Sequence, residues 1–236
     1  GKKNFLGTFA APFAVVIDPN FLRTLPVRDA VAGMAEAIKV ALIKDPAFFD
    51  WLREHAAALA RADDEAMAVL VRRAAELHLT HIATGGDPFE FGSARPLDFG
   101  HWSAHKLESL SHHRLSHGEA VAIGIALDSR YCVEAGLLSE ADAAQIHALI
   151  EQLGLPLWDV ALEQRGPRGL EVVQGLEEFR EHLGGELTVT LLEGIGRGRE
   201  VHAMDLTLLH SSLRWLRERA AGRSGAPART FVSAQQ

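Results

Sequence analysis

Residues 97–124 read LDFGHWSAHKLESLSHHRLSHGEAVAIG, a stretch that places five of the chain's twelve histidines within 28 positions. Histidine serves as metal ligand, as acid/base group, or as a hydrogen-bonded polar residue of a core. His101 and His105 are four apart, so a helix puts them on one face. Asp98, three before His101, joins that face. The polar connector SHHRLSH then leads into EAVAIGIALDSRYCVEAG, a nearly all-apolar helix that stops at Gly136. Such a helix must be enclosed by others. A chain can fold back over the 16 residues from His101 to His117 and bring the two imidazoles together.

The flanking sequence is also mostly helical. FAVVIDP (13–19) reads as a short buried strand ended by Pro19, and FLRTLP as a helical turn. From Arg28 the apolar positions Val31, Met34, Ala35, Ile38, Ala41 and Leu42 fall at helical spacing, up to Asp45-Pro46. PAFFDWLREHAAALA reads as a second helix with proline in its first turn. Residues 64–83 make a third, and TGGDPFEFGSARP (84–96) breaks into a loop. Residues 98–110 resume helical character. SEADAAQIHALIEQLG opens on Ser139 in the Ser-x-x-Asp form of a capping signature. A further helix is expected around 169–182, a β-hairpin over ELTVTLLEGIGRGREVHAM, and a closing helix over DLTLLHSSLRWLRERA. Residues 221–236 have linker composition and are expected to be disordered, leaving one domain over 1–220. The fold class is mainly α, multi-helical, with a few short β-strands.

Composition excludes some functions. Apolar residues make up 47%, enough for a sizeable core. The net charge of −7 argues against general nucleic-acid binding, which needs a basic face, but leaves room for a small basic pocket. Cys132 is the only cysteine, so no internal disulfide or thiolate zinc cluster forms, and a reducing cytoplasm is expected. No apolar run reaches membrane-spanning length. The chain opens at Gly1 inside what reads as a loop, so it is expected to be a piece of something longer.

Glu36 sits within the apolar helix AGMAEAIKVALI, with Lys39 one turn on. A buried unpaired carboxylate is expensive, so Glu36 needs a partner. With His101 and His117 it would make a common catalytic zinc set that leaves a position open for water or substrate. The remaining imidazoles can then act as acid or base. Blander readings exist. The His101/His105 pair can be incidental, Asp98 can cap a helix, and Glu36 can simply pair with Lys39. His112 and His113 read as solvated connector residues. His55, His147, His202 and His210 read as helix-surface residues. GIGRG (194–198) sits in a hairpin turn with no helix after it, a weak match to a dinucleotide loop. Spacing alone leaves metal site and incidental cluster both standing.

GKKNFLGTFAAPFAVVIDPNFLRTLPVRDAVAGMAEAIKVALIKDPAFFDWL resembles the dehydroquinate synthase family, as do DFGHWSAHKLE and HGEAVAIG. The similarity runs from Gly1 to about residue 155, with a weaker echo in GGELTVTLLEGIG. These sugar phosphate cyclases use NAD and a divalent metal, usually zinc and alternatively cobalt, to turn a phosphorylated sugar into a carbocycle. The steps are hydroxyl oxidation, phosphate elimination, re-reduction, ring opening and aldol closure. The resemblance implies Glu36, His101 and His117 as metal ligands. It implies Lys39 as a substrate contact, His105 as a proton-transfer group near the phosphate, Asn4 as a phosphate contact and Glu90 as an active-site acid. It also implies a homodimer, and an NAD-binding half that this chain lacks, so that the chain alone would hold metal without turning over.

Three positions depart from the dehydroquinate synthase pattern. Asp98 stands where those enzymes have asparagine, Ala94 where they have arginine and Thr80 where they have lysine; Arg95 is one residue off. The lost arginine and lysine hold the substrate carboxylate in the family, and a carboxylate left unpaired loses a few kcal/mol. Sister enzymes that cyclise sedoheptulose 7-phosphate to valiolone-type cyclitols resemble this chain in having aspartate at position 98. Those making 2-epi-5-epi-valiolone usually lack a histidine at the place of His105. Its presence here leans towards another branch, such as 2-epi-valiolone synthase. A lysine pair of the family falls loosely on Arg180 and Glu181, with no weight on either. Three readings follow: a valiolone-type cyclase, a 3-dehydroquinate synthase rescued by Arg95, or a helical binding module without catalysis.

Overall fold

The computed structural model describes residues 13–84, 96–182 and 185–223. Asn4, Glu90, Ala94, Arg95 and most of the expected tail lie outside these residues. The described chain forms helices α1 (Val27–Lys44), α2 (Pro46–Glu54), α3 (Ala56–Leu59), α4 (Asp64–Thr84), α5 (His101–Leu110), α6 (His117–Glu134), α7 (Glu140–Gln152), α8 (Gln174–His182) and α9 (Leu206–Arg223). Two small antiparallel pairs join them, β1 (Arg165–Gly166) with β2 (Gly169–Leu170) and β3 (Val189–Gly194) with β4 (Arg197–Val201). The fold is mainly helical with few short strands, as the sequence implies. Among the described residues no helix is long and apolar enough to cross a membrane.

α6 is the axle. It buries every residue from Ala120 to Cys132 and packs against α1, α5, α7 and α9. A helix covered on all sides has no need of a polar stripe, which explains its apolar run from Ala120 to Leu127. Its start is fixed by a capping box at Ser116, one residue before His117. Glu119 N donates to Ser116 Oγ at 3.4 Å and Ser116 N donates to Glu119 Oε2 at 2.8 Å. Arg28 of α1 then grips Glu119 through both Nε (2.9 Å) and Nη2 (2.7 Å). At Gly118 the two helices touch backbone to backbone. A Cβ there would lie 2.0 Å from the carbonyl oxygen of Ala32. Ala32 is one turn before Glu36, so this glycine brings the first turn of α6 down onto the carboxylate-bearing turn of α1.

Several expectations are corrected. Residues 13–18 form no strand, and Phe13, Val15 and Val16 are exposed. Among the described residues no other extended segment offers them a ladder, and a lone extended segment cannot satisfy its backbone as a sheet. The helix expected over PAFFDWLREHAAALA breaks at His55 into α2 and α3. The expected 169–182 helix begins only at Gln174, because Gly169–Leu170 pair back onto Arg165–Gly166 and residues 171–173 form a 3-10 turn. α9 continues to Arg223, past the closing helix expected over 205–220.

His147 is not a surface residue: it is 1% exposed. Its Nε2 lies 3.1 Å from Ala126 O, and its ring packs 5.1 Å from that of Trp215. The signal was present, since Ala143, His147 and Ile150 fall on one helical face. Burial pushes His147 down to about 4. The unfolded chain takes up this proton near 6.5, so the contribution is complete above 6.5 and is lost as pH falls towards 4. A shift of this size is worth about 3 kcal/mol. In His147→Leu the loss of stability between pH 7 and pH 4.5 should therefore be smaller than in wild type by roughly 2–3 kcal/mol, read from urea midpoints. Equal losses would contradict the assignment.

Candidate metal centre

Three elements converge beside the α1–α6 contact. α1 supplies Glu36 and Lys39, α5 supplies His101 and His105, and the first residue of α6 is His117. One ligand-capable atom each of Glu36, His101 and His117 lies within 4.8 Å of the others. Glu36 Oε1 is 3.4 Å from His101 Nε2 and 3.3 Å from His117 Nε2. That oxygen is buried and has no hydrogen-bond partner. A buried acceptor facing two ring nitrogens without bonding either is the donor arrangement a divalent ion would complete. The residues therefore fit a metal.

The outer face of each imidazole is held so that Nε2 points inward. His101 Nδ1 lies 3.1 Å from Phe99 O, and His117 Nδ1 lies 3.0 Å from Glu108 Oε2. A backbone carbonyl or carboxylate accepting from Nδ1–H sets the tautomer and leaves Nε2 free to ligate. Glu108 is 8% exposed and also lies 3.4 Å from His105 Nδ1. Sequence reasoning missed Glu108. It sits three residues after His105 and seven after His101, on the same helical face.

The electrostatics agree with the geometry. Burial opposes ionisation of Glu36, but the two facing imidazoles and the Lys39 ammonium outweigh it and hold the carboxyl far below the usual carboxylate range. Lys39 Nζ lies 2.5 Å from Glu36 Oε2. Facing Glu36, and backed by Glu108, His117 is raised above the ordinary histidine value despite partial burial. His105 goes the other way, lowered by burial and by neighbouring His101 against the pull of Glu108. The shift favours the neutral form of His105, the form in which an imidazole accepts a proton. Its ring lies 5.6 Å from His101 and 5.8 Å from His117, beside the three-residue set.

A cavity of about 450 Å³ opens on Glu36 and His101 of the set. Its polar lining is Glu36, Lys39, Asp98, His101 and His78 of α4, with Val40, Ala74, Ala75 and Leu97 as apolar wall. Asp98 stands in a 3-10 turn (Pro96–Asp98) ahead of α5 rather than on it, and still reaches the pocket. Thr80 does not line this cavity; its hydroxyl donates to Glu76 O at 2.8 Å. His78 was not singled out from sequence, and an isolated helix histidine gives no signal of what it faces. His112 and His113 are exposed in the α5–α6 turn, as expected of connector residues. Arg180 is half-buried and bonded to Glu177 and to Gly185 O.

Comparison with known proteins places this geometry in context. Residues 33–168 match the family described as 3-dehydroquinate synthase C-terminal. A 3-dehydroquinate synthase of Halorhodospira halophila is 38% identical over 195 residues, covering 82% of this chain and 53% of that protein. The structure of 2-epi-5-epi-valiolone synthase from Streptomyces hygroscopicus subsp. jinggangensis, with NAD+ and Zn2+ bound, superposes with a TM-score of 0.80 at 30% identity, covering 92% of this chain and 59% of that one. The fold is shared with a 2-deoxy-scyllo-inosose synthase complexed with carbaglucose-6-phosphate, NAD+ and Co2+, at TM-score 0.68 and 18% identity over 84% of this chain and 55% of that one. The chain thus spans between half and three-fifths of the length of these relatives. Its family match covers more than half of its residues, and the chain belongs to the 3-dehydroquinate synthase C-terminal family.

Proposed function

We propose that this chain is the metal-holding half of an NAD- and zinc-dependent sugar phosphate cyclase whose substrate lacks a carboxylate, such as sedoheptulose 7-phosphate. The observation that carries the substrate class is the pocket wall. Among the described residues its one ammonium or guanidinium is Lys39, and Lys39 is already engaged by Glu36. The wall also carries Asp98, which would repel a carboxylate. Glu36, His101 and His117 would hold the ion. When bound, the ion supplies Lewis-acid polarisation of the reacting hydroxyl and later ketone oxygen. Glu108 keeps the His117 tautomer, and Lys39 balances the Glu36 charge while facing the pocket. His105 would take or return a proton beside the phosphate. Asn4 and Glu90 would complete the site from outside the described residues, and NAD would be held by a preceding half.

A second reading is 3-dehydroquinate synthase itself, favoured by the 38% identity to the Halorhodospira enzyme. In that case Arg95 would hold the carboxylate. Phosphate release by the full-length protein, supplied with NAD and zinc, separates the two. The first reading expects kcat/KM for sedoheptulose 7-phosphate to exceed that for the carboxylated substrate by at least roughly 100-fold, the equivalent of about 3 kcal/mol for an unmatched charge. The reverse preference would establish the second reading. Release from neither would return the chain to the role of a non-catalytic helical module.

A further inference from the structure

Asp128 lies in α6, three turns beyond His117, and is 0% exposed. It lines neither the cavity nor the three-residue set. Its two oxygens are spent on the residues flanking His101. Gly100 N donates to Oδ2 at 3.0 Å, and Trp102 Nε1 donates to Oδ1 at 2.9 Å. The turn it grips has no slack. Gly100 adopts φ +78°, and a Cβ there would lie 2.7 Å from Ile125 N. On the other side, a Cβ on Gly124 would lie 2.0 Å from Gly100 O. The same turn carries Phe99 O, the acceptor that orients the His101 ring through Nδ1. A buried carboxylate is expensive, and both oxygens are matched here by donors that an apolar residue would leave unpaired. What the carboxylate adds is a fixed direction for the turn.

We infer that Asp128 is a positioning residue for His101: it locks residues 99–102 so that His101 Nε2 faces Glu36 and His117. The inference rests on the metal reading of those three residues. It places a carboxylate one link further out than Glu108, acting through backbone and indole rather than on a ligand directly.

Zinc affinity of the chain, measured by competition with a chromophoric chelator, tests this together with the visible spectrum of the cobalt-loaded chain. Asp128→Asn keeps the shape but can accept from only one of the two donors. It is expected to weaken zinc by about 10-fold, the low end of the range for loss of an outer-sphere partner, because it acts one link further out. It should also change the cobalt band shape while retaining cooperative unfolding. Trp102→Phe removes one donor and keeps a smaller aromatic ring in the same place, and is expected to give a smaller loss with the same spectral change. His147→Leu, a buried change against the same helix, should leave zinc affinity and spectrum as in wild type. A folded Asp128→Asn or Trp102→Phe chain with wild-type affinity and spectrum would overturn the inference. So would an equal loss in His147→Leu, which would trace the effect to general loosening. If Asp128→Asn does not fold, Trp102→Phe decides. If the wild-type chain itself binds no zinc, the metal reading falls and takes this inference with it, a failure visible before any variant is made.

Discussion

Glu36→Ala is expected to weaken zinc binding to this chain by more than about 100-fold, beyond the loss that removal of an outer-sphere partner causes. Glu36 is the only anionic member of the set, and its Oε1 is the atom both Nε2 groups face at 3.3 and 3.4 Å. Removing it leaves two imidazoles and takes from the Lys39 ammonium the carboxylate it pairs with. A divalent ion would lose its one anionic ligand and face the Lys39 ammonium unscreened by it. Glu108→Ala should cause the smaller loss of about 10- to 100-fold, because His117 keeps its nitrogen but loses the group that aims it. Chelator competition on the folded chain reads both. An affinity for Glu36→Ala within tenfold of wild type (roughly 1.4 kcal/mol) would mean the ion sits elsewhere.

Gly118→Ala is expected to lower stability by about 3 kcal/mol or more, and the melting temperature by roughly 6–12 °C for a chain of this size. The added methyl would stand 2.0 Å from Ala32 O and 2.5 Å from its carbonyl carbon. Both are backbone atoms, so no rotamer change relieves the clash. The helices must separate, and with them His117 from Glu36. The same variant should therefore bind zinc more weakly, even at temperatures where it is fully folded. A melting temperature within about 2 °C of wild type would show that the α1–α6 crossing yields more easily than its packing suggests.

Much of the site was legible because its residues obey local rules. The i, i+4 relation of His101 and His105 is a property of any helix. Glu36 stood out as a charge in an apolar run, and cost alone implied a partner. By the same reasoning Asp128, in the apolar run of α6, could have been singled out. Glu108 could not be given a role from sequence, since its partner His117 comes to it only when α6 folds back across α5. The strand expected at 13–19 failed for the opposite reason. Its apolar residues announce burial, but burial needs a covering surface, and sequence does not say where that surface lies. His147 was misread because polarity was taken for exposure, although its neighbours on the helix were apolar.

The central helix begins at His117 and runs through the core to Glu134. An ion held at its first residue is therefore coupled to the survival of the whole chain. Zinc present at 100 times its dissociation constant would add about 2.7 kcal/mol to the unfolding free energy by mass action. Metal supply would then govern turnover of the polypeptide by proteases as well as its chemistry, with a starved cell clearing the apo form first.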